Sequence, residues 1–350
     1  MKILKRKRII IYFLSLILLG LLVWYGELIL YGIEQGRGQF RILWNTKTPE
    51  KFLAQGNYSD SLKVFFKKKL DLIEEIKQFA IDSLGLRPSK SYQKIYDQEN
   101  RSLLWTISAS EEFALEPKEW NYGFLGSMPY KGYFDSLKAY RLVQELEEGG
   151  YDVNIYNPAA WSTLGWFNDP ILSSMLYWSE GGLASLIIHE MTHATIWISG
   201  NVEYNENLAD FVGDQGALLF LAQKYGKNSD IYRDYAQGDQ DAEKFYAHIL
   251  RGTEKLDSLY RSFRDKESIQ QKRTKKNALI QKIVQKMDTI RFRNPERYQK
   301  YFEDKLPNNA YFMLFKRYRA KQNQFEQEFR QKFGSNFKKY LAYLKEKYAS

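Results

Sequence analysis

His189-Glu190-Met191-Thr192-His193 sets two imidazoles four residues apart with a carboxylate between them. On a helix, residues four apart lie one turn above each other, so both rings can reach a single ion. The glutamate sits about 100° round the axis from its neighbour, close enough to handle the proton of a water held by that ion. A zinc ion at such a site lowers the pKa of a bound water to about 7 and so supplies hydroxide at neutral pH. The chain has only three histidines, and this pair uses two of them.

A catalytic zinc site needs a third protein ligand. The stretch Asn205-Glu206-Asn207-Leu208-Ala209-Asp210 follows closely, with Glu206 thirteen residues after His193 and Asp210 four after Glu206. Glu206 and Asp210 therefore share one helix face. One carboxylate can ligate while the other orients a ligand histidine through its free ring N–H. A helix N-terminal acid, with Asn205 as cap, is the other reading of Glu206. Glu203 lies on the same connection but lacks a partner acid four residues on. Hydrolysis of a peptide also requires a donor for the oxyanion. His248, in a charged helical context, reads better as a surface residue, and Tyr130, Tyr204 and Tyr318 are options among 26 tyrosines. Around Gly126-Ser127-Met128-Pro129-Tyr130, a strand edge at Met128 and Tyr130 could pair with an extended peptide. A tight turn fits the same residues.

Two helices must carry these ligands. LASLIIHEMTHATIWIS, residues 183–199, lies between Gly181-Gly182 and Gly200, a helical stretch with a glycine stop. The second runs from the Asn205 stretch to Gly226, and Gly200-Asn201 supplies the turn of a hairpin. Residues 48–83 keep helical spacing, 136–148 have helical character, and 103–109 and 151–156 read as short strands, the second after Gly149-Gly150. Residues 255–292 and 319–348 are long, charged and amphipathic, and are expected to pack on the body with solvated faces, Pro295 and Pro307 marking a loop between them. The expected fold class is mainly α with a small β element (α+β). No linker or repeat divides residues 36–350, which read as a single catalytic domain.

The 350 residues contain no cysteine, which excludes disulfides, zinc–thiolate sites, iron–sulfur clusters and a cysteine nucleophile. Residues 1–8 carry five positive charges, and Ile9 to Tyr25 run without a charge. Seventeen residues cover about 25 Å as a helix, just enough to span a bilayer. Residues 1–35 are thus expected to be a basic cytoplasmic start and one uncleaved transmembrane helix in the inner (plasma) membrane. The rest of the chain then lies outside it, in the periplasm. The net charge of +10 suits an anionic membrane surface as well as nucleic acid, and no nucleic-acid module is recognisable, so none is expected as a partner.

The pair H-E-M-T-H-A and N-E-N-L-A-D resembles the two zinc-binding helices of thermolysin-like gluzincins. That resemblance implies His189, His193 and Glu206 as ligands of one Zn²⁺ per chain, Asp210 behind the first histidine and Asn205 supporting the second. A broader resemblance runs through residues 30–39, Gly126 to Phe134, Ser162 to Pro170, Asn308-Asn309-Ala310 and Tyr318. It is to a bacterial family of predicted aminopeptidases with one N-terminal apolar segment. It implies removal of N-terminal residues from peptides, with Glu190 as general base and Tyr318 as oxyanion donor. Spacing alone leaves exo- and endopeptidase open. A membrane-tethered scaffold with a structural or vestigial metal site is the alternative of another class. Glu190 speaks against it, because a structural site has no need of that acid.

Overall fold

The computed structural model describes residues 25–123, 126–158, 168–299, 301–302 and 305–348. The charge-free run Ile9–Tyr25, except for Tyr25, lies outside the described residues, and so does the Ser162–Pro170 string up to residue 167. The chain divides into two units, Met1–Asn45 and Thr46–Ser350. In the first, residues 25–44 form a helix, α1, that exposes Tyr25, Ile29, Ile33, Phe40 and Trp44. Asn45 Nδ2 closes it by donating to Arg41 O at 2.7 Å. Among the described residues no helix is long and apolar enough to cross a membrane.

Among the described residues the second unit is mainly helical with three small sheets. After α2 (Pro49–Gln55) and α3 (Asp60–Phe79) come β1 (Ile95–Tyr96), β2 (Trp105–Glu111), β3 (Trp120–Asn121), β4 (Ser127–Met128) and β5 (Lys131–Tyr133). Then follow α4 (Ser136–Glu148), β6 (Tyr151–Tyr156), β7 (Ile171–Leu172), α5 (Glu180–Thr195), α6 (Val202–Tyr225) and α7 (Asp230–Arg261). The chain ends in α8 (Ile269–Gln285), α9 (Glu296–Gln299), α10 (Asn309–Arg319), α11 (Gln322–Phe333) and α12 (Phe337–Lys347). The central sheet is antiparallel in the order β5-β2-β6. Its Ile107, Ala109 and Val153 pack with Ala139 and Leu146 of α4. The central strand β2 is covered on both faces, buried without a break from Thr106 to Ser110.

Helix α5 differs from its sequence expectation at both ends. α5 begins at Glu180, capped by the Ser179 hydroxyl accepting from Gly182 N, and stops at Thr195, five residues short of Gly200. Thr192 and Thr195 turn their hydroxyls back onto the carbonyls of Ile188 and Met191, the local competition that weakens helices. Asn205 then holds the extended exit by accepting from Ile198 N at 2.9 Å and donating to Ile198 O at 2.8 Å. Gly200 takes its turn at φ +73°, and Asn201 caps α6 by accepting from Tyr204 N. The charged stretch 255–292 holds the end of α7 and the whole of α8.

Two glycines set how closely helices approach the site. A Cβ on Gly213 of α6 would meet Ser185 O at 2.8 Å and His189 Cβ at 3.3 Å, so α5 and α6 come nearly backbone to backbone beside the first histidine. A Cβ on Gly181 would fall inside the Tyr235 ring of α7. At the far side α10 is riveted to the sheet. Asn308 Nδ2 donates to Val153 O, Asn309 Nδ2 to Glu111 O, and Asn309 N to Asp152 Oδ2 at 2.7 Å. These bonds fix where the other end of α10 points.

Candidate active site

His189 and His193 lie on α5, and Glu206 lies on the first turns of α6. The His189 Nε2 and His193 Nε2 atoms are 3.1 Å apart, and Glu206 Oε2 is 3.5 Å from the first and 3.3 Å from the second. A tetrahedral ion with bonds of 2.0–2.1 Å separates its ligand atoms by about 3.3–3.4 Å. The triangle therefore has the size such an ion sets. His189 Nδ1 donates to Asp210 Oδ1 at 2.8 Å, which orients the ring so that Nε2 faces His193 and Glu206. His193 is 5% exposed and its Nδ1 has no partner. Two ring nitrogens and a carboxylate oxygen thus converge, an arrangement that a cation can bridge. The residues present fit a divalent metal with N and O preference. Burial disfavours charge on His189, yet the Asp210 and Glu206 contacts outweigh it and raise its pKa. Burial likewise works against the Glu206 carboxylate, and the two histidines still hold its pKa low.

Each of the three residues Asn205, Glu206 and Asn207 holds something different. Asn205 ties the loop after α5, so its link to His193 runs through that loop rather than to the imidazole. Glu206 faces the histidines. Asn207, fully buried, donates to Arg317 O and accepts from Lys321 N at 2.8 Å, gripping the end of α10. Glu203 turns away to pair with Lys321 at 3.1 Å.

Behind His189 the geometry continues to a residue that the sequence reading missed. Arg319 Nε pairs with Asp210 Oδ2 at 3.2 Å, and its Nη1 with Asp214 Oδ2 at 2.5 Å. Ser185 Oγ donates to the other oxygen of Asp214. Arg319 also lies over the Tyr246 ring at 4.3 Å, so the guanidinium is held from three sides. No spacing rule could find it, because it comes more than a hundred residues after Asp210.

The triangle opens on a cavity of about 1170 Å³ whose wall includes Glu190, Tyr130, Tyr156, Trp197 and Tyr318. Glu190 Oε2 is buried without a hydrogen-bond partner. Tyr318 is at the wall beside Glu206, and burial followed by that carboxylate raises its pKa. Of the two substrate-contact residues expected, Tyr130 reaches the cavity. Met128 instead pairs with Trp120 in the β3–β4 hairpin and is not among the lining residues. Tyr204 packs on Phe325 and Tyr348, and His248 Nε2 meets Ile283 O at 2.8 Å in another core, so neither joins the site. Toward α7 the wall turns acidic, with Glu180, Asp214, Asp234 and Asp239 against Lys69, Arg297 and Arg319.

A family model described as "Putative aminopeptidase" matches residues 30–348, nearly the whole chain, and the protein belongs to that family. No curated protein and no solved structure matches the chain.

Proposed function

From that membership and the convergent donor triangle, we propose that the protein is a zinc-dependent peptidase of the gluzincin type that removes N-terminal residues from peptides. The observation that carries the reading is the meeting of His189, His193 and Glu206 at tetrahedral-edge distances beside the free carboxylate of Glu190. His189, His193 and Glu206 would hold the ion. When bound, Zn²⁺ supplies Lewis acidity toward the scissile carbonyl and a nucleophilic water at neutral pH.

This chain's own residues do the rest. Glu190 accepts the proton of the attacking water and returns it to the departing amine, the acid–base role that its unpartnered oxygen suits. Asp210, backed by Arg319, keeps the His189 ring oriented. Tyr318 donates to the carbonyl oxygen as it becomes anionic. The excess of carboxylates on the α7 side suits a substrate with a cationic end, which favours amino-terminal trimming over internal cleavage. With residues 1–35 read as an anchor, the site acts on peptides outside the inner membrane.

Metal analysis of the purified 36–350 fragment tests this. About one zinc per chain is expected, one ion filling the one triangle, with loss in the Glu206→Ala variant and release of N-terminal residues from fluorogenic amino-acid amides by the parent. A parent that takes up no zinc on reconstitution overturns the reading in favour of a scaffold. Cleavage of blocked peptides but not of free amino-terminal ones turns it to an endopeptidase.

A further inference from the structure

The cavity wall follows one face of α5, where Gly182, Ser185, His189 and His193 recur, so one space joins the donor triangle to the start of that helix. Glu180 and His189 are nine residues apart on α5, about 13 Å along the axis. An extended peptide rises about 3.3 Å per residue, so about four residues span the interval. At the far end stands Lys69 of α3, a wall residue only 8% exposed. Its Nζ donates to Trp178 O at 2.6 Å and lies 5.5 Å from the Phe65 ring centroid. Among the described residues Lys69 makes no ion pair. Glu180, whose charge favours the ammonium, spends Oε2 on the Tyr225 hydroxyl instead. Around this buried cation the surface is apolar. Phe65, Tyr177 and Trp178 are exposed although each is large and aromatic, and Tyr177 leans edge-on against Phe66, the neighbour of Phe65. Exposed Ile231 of α7 continues the collar on the cavity wall.

Resting on the peptidase reading, we propose that Lys69 binds the free C-terminal carboxylate of short peptides whose first bond lies at the triangle, the aromatic collar taking the last side chain. The ammonium has N–H donors beyond the one that Trp178 takes, and a buried charge calls for a partner. A carboxylate supplies both acceptor and countercharge, and the pair gains strength where water is excluded. The exposed rings around it are covered once an apolar final residue lies on them. Held at its carboxylate, a peptide presents its amino-terminal bond to the triangle only when its length matches the span. The site then selects peptide fragments by length and by a free C-terminus.

The test compares tetrapeptides of one sequence, ending either in a free carboxylate or in an amide, on the zinc-loaded full chain. The parent's kcat/KM is expected to be about ten- to a hundredfold higher for the acid, the worth of a hydrogen-bonded charge pair. Lys69→Gln keeps a donor for Trp178 O but removes the charge, and should bring that ratio to within about twofold of one, whereas Lys69→Arg should keep most of it. Dipeptides fall short of Lys69, so their ratio in the parent should also lie within about twofold of one. A parental ratio near one, a ratio that Lys69→Gln leaves unchanged, or the same preference in dipeptides as in tetrapeptides overturns the proposal. If Lys69→Gln does not fold, Trp178→Ala carries the test, since it keeps the carbonyl and opens the collar to water. The ratio should then fall more than about threefold, and an unchanged one overturns the proposal. A second readout needs no turnover. In Glu190→Gln protein, calorimetry should find the tetrapeptide acid bound about tenfold tighter than its amide, a difference that Lys69→Gln removes. A parent that loads zinc yet cleaves neither peptide removes the peptidase reading alone, and this titration then still decides the role of Lys69.

Discussion

The three histidines sit in two regions built on opposite principles. His189 and His193 stand where α5 and α6 touch through Gly213, among buried polar groups such as Ser185, Asp210, Asp214 and Arg319 that bind one another. His248 stands on α7 against α8, in a core filled by Phe245, Ile249, Leu256, Tyr260, Ile283 and Phe312. There its ring meets a backbone carbonyl, and burial lowers its pKa. The first region gives up bulk for close backbones and a chain of carboxylates, and its imidazoles gather negative charge. The second spends its volume on aromatic rings and satisfies one polar group locally. The same side chain joins a cluster that could hold a metal in one setting and is packing in the other, and the difference lies in what the neighbouring helix brings.

Substitutions can break or sharpen that contrast. The largest effect belongs to Glu190→Gln, expected to cost about 10²–10⁴-fold in kcat with zinc content unchanged. Lost zinc would show instead that the carboxylate is structural. Arg319→Met should weaken zinc about 10–100-fold, as removal of an outer partner of a ligand histidine does. Competition with a chromophoric chelator reads this directly, and parental affinity would mean that Asp210 needs no support. Gly213→Ala pushes a methyl into Ser185 O and should destabilise the fold by about 1–3 kcal/mol, read by urea denaturation. An unchanged midpoint would show that the helices can part without cost.

A smaller effect is one of pH. Burial, followed by Asp214 and Glu243, raises Asp239 from 3.8 to about 7. The native chain therefore holds that proton more tightly than the unfolded one, and its contribution is present below about pH 4 and lost as pH rises through about 7. Asp239→Asn should remove this decline, raising Tm relative to the parent more at pH 8 than at pH 5. Equal shifts at both values would contradict it. Least of all, His248→Gln should leave kcat/KM within about twofold, as substitutions away from a site do. A large loss would erase the distinction between the two regions.

The donor triangle was legible because its parts are local. Histidines four apart and two acids four apart report helix faces directly, and β6 was visible as a run opening after two glycines. The early end of α5 was not, since it depends on Asn205 gripping Ile198 from the next helix. Arg319 was illegible for a related reason. Nothing within α10 says that Asn308 and Asn309 clamp it to β2 and β6, and only that clamp brings its last turn to the cavity. The edge read at Met128 is taken on one side by β3, a pairing set by short strands with weak patterns of their own.

Asn207 binds the backbone of a residue 110 positions later in the chain. During synthesis at about 5–20 residues per second, that interval is roughly 5–20 s. The metal-binding triangle is complete as soon as α6 has formed, while Tyr318 and Arg319 arrive only near the end of translation. A chain stopped at Phe315 should accordingly take up zinc but turn over nothing, which zinc titration of that truncation would check. On the peptidase reading, the site would be ordered in time as well as in space, its donor triangle formed first and the donor to the substrate carbonyl last.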